Sequence, residues 1–222
     1  MMKRTVLYIL IFTFCSSAVW VSTAEAQSGR KYSFFVSGDA NLAVSPEVFT
    51  DYYDLGFGLT VGMEFPASPA WSFIGSIGYK NFSPSQSVIE SWWTEPGEYP
   101  GATNITVSEG ALEALTIAIL GKGMLKSEGS KVFPYAKGGF GITIGGADEI
   151  KVDFNDQGGT PQSEWVAGAD QGTNFSVQIA VGVEFLLGSG NSSLFADVGV
   201  ALVSLDELSN PTIVPINVGF KF

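Results

Sequence analysis

Eight stretches of this 222-residue chain alternate large apolar residues with small or polar ones at a period of two, and most run for 10 to 15 residues. That period belongs to a strand with two unlike faces. The stretches are Tyr32–Val44, Leu55–Phe65, Trp71–Phe82, about Leu112–Lys126, Val132–Ile144, Phe175–Phe185, Leu194–Val203 and Ile213–Phe222. The sixth is the clearest, with Phe175, Val177, Ile179, Val181, Val183 and Phe185 set against Ser176, Gln178, Ala180, Gly182 and Glu184. Pro66–Ala70, Ser127–Lys131 and Gly188–Ser192 are tight connections rich in Gly, Ser and Pro. Between them lie longer polar stretches, Ser45–Asp54, Ser83–Gly110, Gly145–Thr173 and Ser204–Thr212. Short turns at one end and long loops at the other describe an all-β, eight-stranded antiparallel up-and-down β-barrel, with strands long enough to cross a bilayer at a tilt.

Alternation alone also fits a soluble, lipocalin-like barrel whose polar phase meets water. Two features favour a transmembrane barrel with its apolar phase on lipid. The other phase is mostly Gly, Ala, Ser and Thr, sizes that suit a narrow interior. Its few charges balance: Asp39, Glu64, Glu184 and Asp197 against Lys80, Lys122, Lys137 and Lys221. Glu113 breaks the pattern where a long loop enters its strand. A soluble surface carries far more charge.

Lys3 and Arg4, the apolar run Val6–Phe14 and the small-x-small triplet Ala24-Glu25-Ala26 predict a secretory signal peptide over residues 1–26, with a barrel domain over 27–222. A single membrane anchor is the competing reading, but the run is short for a bilayer. Cys15, the one cysteine, then leaves with the signal, and Phe14 before it does not suit a lipoprotein. The formal charge moves from −11 to −12. Such acidity opposes nucleic-acid binding.

The run Phe133–Ile144 (FPYAKGGFGITI), then Ala180–Phe185 (AVGVEF) and the ending IVPINVGFKF resemble the small outer-membrane β-barrels of the OmpA, OmpX and opacity-protein families. The resemblance implies an outer-membrane protein of a Gram-negative cell, with both termini periplasmic and four loops outside. Phe222, with Phe220, Val218, Ile216 and Val214 in alternation before it, resembles the signal read by the outer-membrane insertion machinery. No peptidoglycan-binding domain of the OmpA kind is expected after Phe222.

Histidine is absent, which removes His-based triads, His general bases and His metal ligands. No G-x-S-x-G, Walker or dinucleotide motif occurs. The lysines of the strands are expected in interior ion pairs. An enzyme is therefore not expected, and no cofactor is implied. Some barrels of the resembled group modify lipids, but they do so with a catalytic histidine. The expected role is structural or one of surface interaction through the loops, an adhesive or ligand-binding surface; the alternative is a narrow channel for small solutes.

The four loops carry formal charges of −3, −4, −5 and −2, or −14 in all. One reading has them among lipopolysaccharide phosphates through bridging divalent cations. The other is a surface for an extracellular ligand, with Trp92, Trp93 and Tyr99 as its aromatic anchors; the tryptophans equally suit an interfacial girdle. Asp153, Asn155, Gln157 and Glu164 approximate the spacing of a calcium loop, although Gln157 is an unusual ligand there and Pro161 follows. Inside the barrel, counting from the tight turns puts Lys122, Lys137, Glu184 and Asp197 at similar heights. Lys137 is expected to pair with Glu184, with Lys122 and Asp197 reaching across the lumen; the alternative is that water separates these charges.

Overall fold

The computed structural model describes residues 32–94, 99, 101–125, 129–166, 168–188, 192–204 and 210–222. The expected signal peptide, Cys15 and the acids Glu95, Glu98, Asp206 and Glu207 lie outside them, as does the side chain of Trp92. Eight strands built on the alternating segments close into one antiparallel barrel. They are β1 (Ser33–Ser45), β2 (Tyr53–Pro66), β3 (Trp71–Pro84), β5 (Leu112–Met124), β6 (Val132–Ala147), β9 (Ala169–Leu186), β10 (Ser193–Val203) and β11 (Thr212–Lys221). Each pairs with its neighbour in this series, and β1 pairs with β11. Following the register from Lys80 through Gly58, Asp39, Asn217, Asp197, Gly182, Tyr135 and Met124 leads back to β3 at Ala70, a stagger of ten residues. A closed sheet with stagger must tilt its strands about the barrel axis.

The apolar phase faces outward. Phe57, Trp71, Phe73, Ile119, Phe140, Phe175, Ile179, Val181 and Val218 are each more than half exposed. In water a belt this continuous would drive aggregation, whereas in a bilayer it is the solvated surface. No helix among the described residues is long and apolar enough to cross a membrane. Near the tight turns the outer aromatics cluster: Phe34 stacks on Phe222 at 6.2 Å, Phe220 on Phe222 at 5.9 Å, and Tyr32 meets both Phe34 and Phe65. The Phe34 and Phe222 backbones exchange two hydrogen bonds, of 2.8 and 2.9 Å, so the last residue helps to close the barrel.

Three stretches expected as loops fold instead. A helix of one turn, α1 (Glu47–Thr50), follows β1, and a longer helix, α2 (Gln86–Thr94), follows β3. Strands β4 (Thr103–Glu109), β7 (Ile150–Asn155) and β8 (Pro161–Val166) form a second sheet in the order β4-β7-β8. On its inner face Ile105, Ile150, Val152 and Phe154 pack against Ile89 and Trp93, which are four residues apart on one side of α2. This cap sits over the long-loop end of the barrel, joined to it through Tyr52, which packs against both the cap core and the apolar cluster at the barrel mouth.

Candidate functional site

All eight strand charges project into the lumen, and neighbouring pairs of strands determine how they meet. Lys122 Nζ lies 3.1 Å from Glu64 and 2.6 Å from Glu184; Lys221 Nζ lies 3.2 Å from Glu64 and also binds Glu184. The four form a closed ring of alternating sign. They come from β11, β9, β5 and β2, every second strand around the barrel, which is how inward side chains stack in layers across a small barrel. Ser72 donates to the Glu64 oxygen that the lysines leave free, at 2.7 Å, Ser193 donates at 2.8 Å to the Glu184 oxygen that also binds Lys221, and the Lys122 ammonium sits 4.5 Å above the Tyr135 ring. Every member of the ring is buried. The ring lies near the tight turns, two residues from the end of β2 and of β9.

The remaining four charges come from the intervening strands. Lys137 Nζ binds Asp197 at 2.7 Å, and Asp197 also accepts from the Tyr135 hydroxyl at 2.5 Å and the Asn217 amide at 2.7 Å. Asp39 accepts from Asn41 and, at 3.5 Å, from Thr60; Lys80 shares its register row across Gly58. The expected Lys137–Glu184 pair is not made. Lys137 stands opposite Ala180, four residues along β9 from Glu184, or about 13 Å at the rise of a strand. Counting from the turns neglects the ten-residue stagger, which displaces each strand relative to the next. Lys122 and Lys137 are instead direct cross-strand neighbours, an arrangement that like charges disfavour. It is tolerated because one ammonium is held by the ring and the other by Asp197.

Gly58 makes room for this arrangement. A Cβ there would collide with the Asp39 carboxylate and lie 2.7 Å from the Tyr79 carbonyl oxygen. Gly58→Ala is expected to cost about 1–3 kcal/mol by overpacking. Gly75, whose Cβ would meet nothing within 4 Å, is the control, and its alanine variant should shift stability by under ~0.5 kcal/mol. Urea midpoints in lipid vesicles measure both.

A cavity of about 100 Å³ extends from the ring, where Glu64, Lys122 and Lys221 border it, past Lys80 and Lys137 to Thr143 and Ser176. An apolar plug closes its upper end. Phe49 of α1 meets Phe82 at 5.6 Å and Tyr53 at 5.8 Å, with Leu112, Val203 and Ile213 around them, all buried. The Phe82 ring lies over Gly56, where a Cβ would come within 2.6 Å of it. Sequence reasoning missed this plug. Its signal was a set of large apolar residues, Phe82, Leu112 and Ile213, in strand phases that are otherwise mostly small or polar.

In the cap, two of the aromatics expected on an exposed surface, Trp93 and Tyr99, pack into the cap core instead. Trp93 is 1% exposed, stacked on Tyr99 at 5.3 Å and edge-on to Phe154 at 5.5 Å. It is neither a girdle residue nor an open anchor. Tyr99 donates its hydroxyl to Glu164. The calcium-loop reading also fails on geometry. Asp153 and Asn155 lie on the outer face of β7, whereas Glu164 pairs with Val152 and belongs to the inner face. Gln157 sits in the turn between β7 and β8, which Asp156 caps by accepting from the Gly158 and Thr160 amides at 2.8 Å each. The four do not converge, and among the described residues no cluster of three or more acidic or Cys side chains is placed to hold a metal. Asp153 is engaged by Lys151 at 2.9 Å and by Ser163, and these hydrogen bonds hold its carboxyl below the usual range.

Among solved structures, Neisserial surface protein A superposes with a TM-score of 0.52 at 12% identity, over 87% of this chain and 98% of that one. This is the fold of the small outer-membrane β-barrels. The attachment invasion locus protein of Yersinia pestis (16% identity, 87% and 99% covered, TM-score 0.44) and the N-terminal barrel domain of Pseudomonas aeruginosa OprF (9%, 86% and 97%, 0.43) also match. No protein-family model and no curated protein sequence matches the chain.

Proposed function

We propose that the chain is an integral outer-membrane protein without enzymatic activity, exported by its signal peptide, whose barrel anchors a folded cap at the cell surface. The observation that carries this reading is the lumen, crossed by a four-charge ring at one end and an apolar plug at the other, beneath a cap with its own core. A barrel built this way holds a platform in place more readily than it conducts. The cap would meet an extracellular ligand, and the acidic loops would sit among lipopolysaccharide headgroups through divalent cations. Cells displaying the intact chain should adhere to host or matrix surfaces. A variant with Ser85–Gly110 and Asp148–Gly168 replaced by tight turns should remain in the outer-membrane fraction and adhere at background level. Equal adherence by both would remove the surface role.

In this reading Phe220 and Phe222 also serve as the mark for the insertion machinery. A lysine at 222 would lie near the interface, where charge costs a barrel only about 0–1 kcal/mol, too little to unfold it. Phe222→Lys is nevertheless expected to accumulate in the periplasm, because recognition rather than stability is lost. Normal outer-membrane levels of the variant would contradict that role.

A further inference from the structure

The outer face of the cap sheet is a flat array of hydrogen-bonding side chains around one uncovered indole. Trp165 on β8 is 53% exposed and stands opposite Lys151; in the next row along the strands Ser163 stands opposite Asp153, which faces Thr106 of β4 on its other side. Asn155 continues the same face of β7. Neighbouring positions on one face of a strand are about 7 Å apart, which matches a pyranose ring lying on the indole with its hydroxyls over the adjoining row.

The chemistry of that row is suited to such a ligand. A sugar hydroxyl both donates and accepts. Lys151 and Ser163 each engage one Asp153 oxygen, so each oxygen keeps capacity to accept a second hydrogen bond, and the ammonium and the Asn155 amide supply donors. The C–H face of the sugar would cover the apolar surface of Trp165. Charge selects among glycans. Lys151 and Asp153 cancel locally, while the four long loops together carry a formal −14, so sulfated or phosphorylated polymers are repelled and an uncharged one is not.

We propose that this face of the cap, centred on Trp165, binds an uncharged oligosaccharide by stacking on the indole and hydrogen bonding to Asp153, Lys151 and Asn155. The proposal rests on the surface-interaction reading and names its ligand class. The test is titration calorimetry of the full-length barrel, refolded in a non-glycosidic detergent, against maltohexaose, chitohexaose and a galactan hexamer, with heparin as the anionic probe. At least one neutral hexamer should bind saturably, with affinity unchanged between about 0.05 and 0.5 M salt. Trp165→Ala should weaken it by about tenfold or more, equivalent to ~1.4 kcal/mol, and Trp165→Phe should restore most of it.

Failure of all three hexamers to bind would overturn the proposal. So would tighter binding of heparin, or equal binding by Trp165→Ala, which is exposed and leaves the cap core untouched. The two readings fail separately. Adherence kept by Trp165→Ala but lost on shortening the cap would leave the surface role and remove the glycan; adherence kept without the cap would remove the surface role itself.

Discussion

Lys122→Ala is expected to destabilise the barrel by about 3–5 kcal/mol, because it strands charge that is already out of water. Lys122 is 4% exposed and is one of two cations shared between Glu64 and Glu184. Without it, both carboxylates must share Lys221, their remaining ammonium in the ring. If water filled this layer, the same substitution would behave like the loss of an exposed pair and cost under ~1 kcal/mol. Urea unfolding in lipid vesicles separates the outcomes, and a cycle with Glu184→Ala should show strong coupling. The cycle of Lys137→Ala with Glu184→Ala should instead be additive, since Lys137 is bound to Asp197. Replacing all four ring members with apolar residues of similar volume should recover most of the loss, because no unpaired charge then remains.

Trp93→Ala is expected to open the cap while sparing the barrel. The indole fills the centre of the cap core between Tyr99 and Phe154, and truncating a buried tryptophan costs about 3–5 kcal/mol. A three-stranded sheet and one helix hold only a modest local stability, so a loss of that size falls mainly on local opening. Protease cleavage and amide exchange within Ile150–Val166 should rise sharply while β9 and β10 keep their protection. Unchanged cap protection would mean that the cap is not organised around Trp93. Loss of the whole barrel would mean that cap and barrel fold as one unit.

What could be read in the sequence follows from how far apart the deciding residues lie. The barrel strands follow from alternation within 10 or more residues, and the large apolar phase of each turns outward. Only β9 begins well before its alternating segment, at Ala169 rather than Phe175, where it continues the pairing with the long β6 up to Ala147. The inward placement of the charges was legible for the same reason. Their partners were not, because partnership depends on a stagger fixed by closing β1 on β11, which no local pattern encodes. The cap was partly legible. Ile150, Val152 and Phe154 alternate with Lys151, Asp153 and Asn155, and Ile89 and Trp93 share a helix face. The seven-residue β4 gains its partner β7 from some 45 positions away, and the acidic side chains along the β7–β8 hairpin imitated a cation loop.

Single-channel recording on the refolded full-length chain in a planar bilayer tests the central claim most directly. With the Glu64–Lys122–Glu184–Lys221 ring at one end of the lumen and the Phe49–Phe82 plug at the other, the bilayer should show no stable conductance steps from the intact protein. Persistent steps on the order of a nanosiemens would require a continuous water column through a barrel of this size, and would contradict the account.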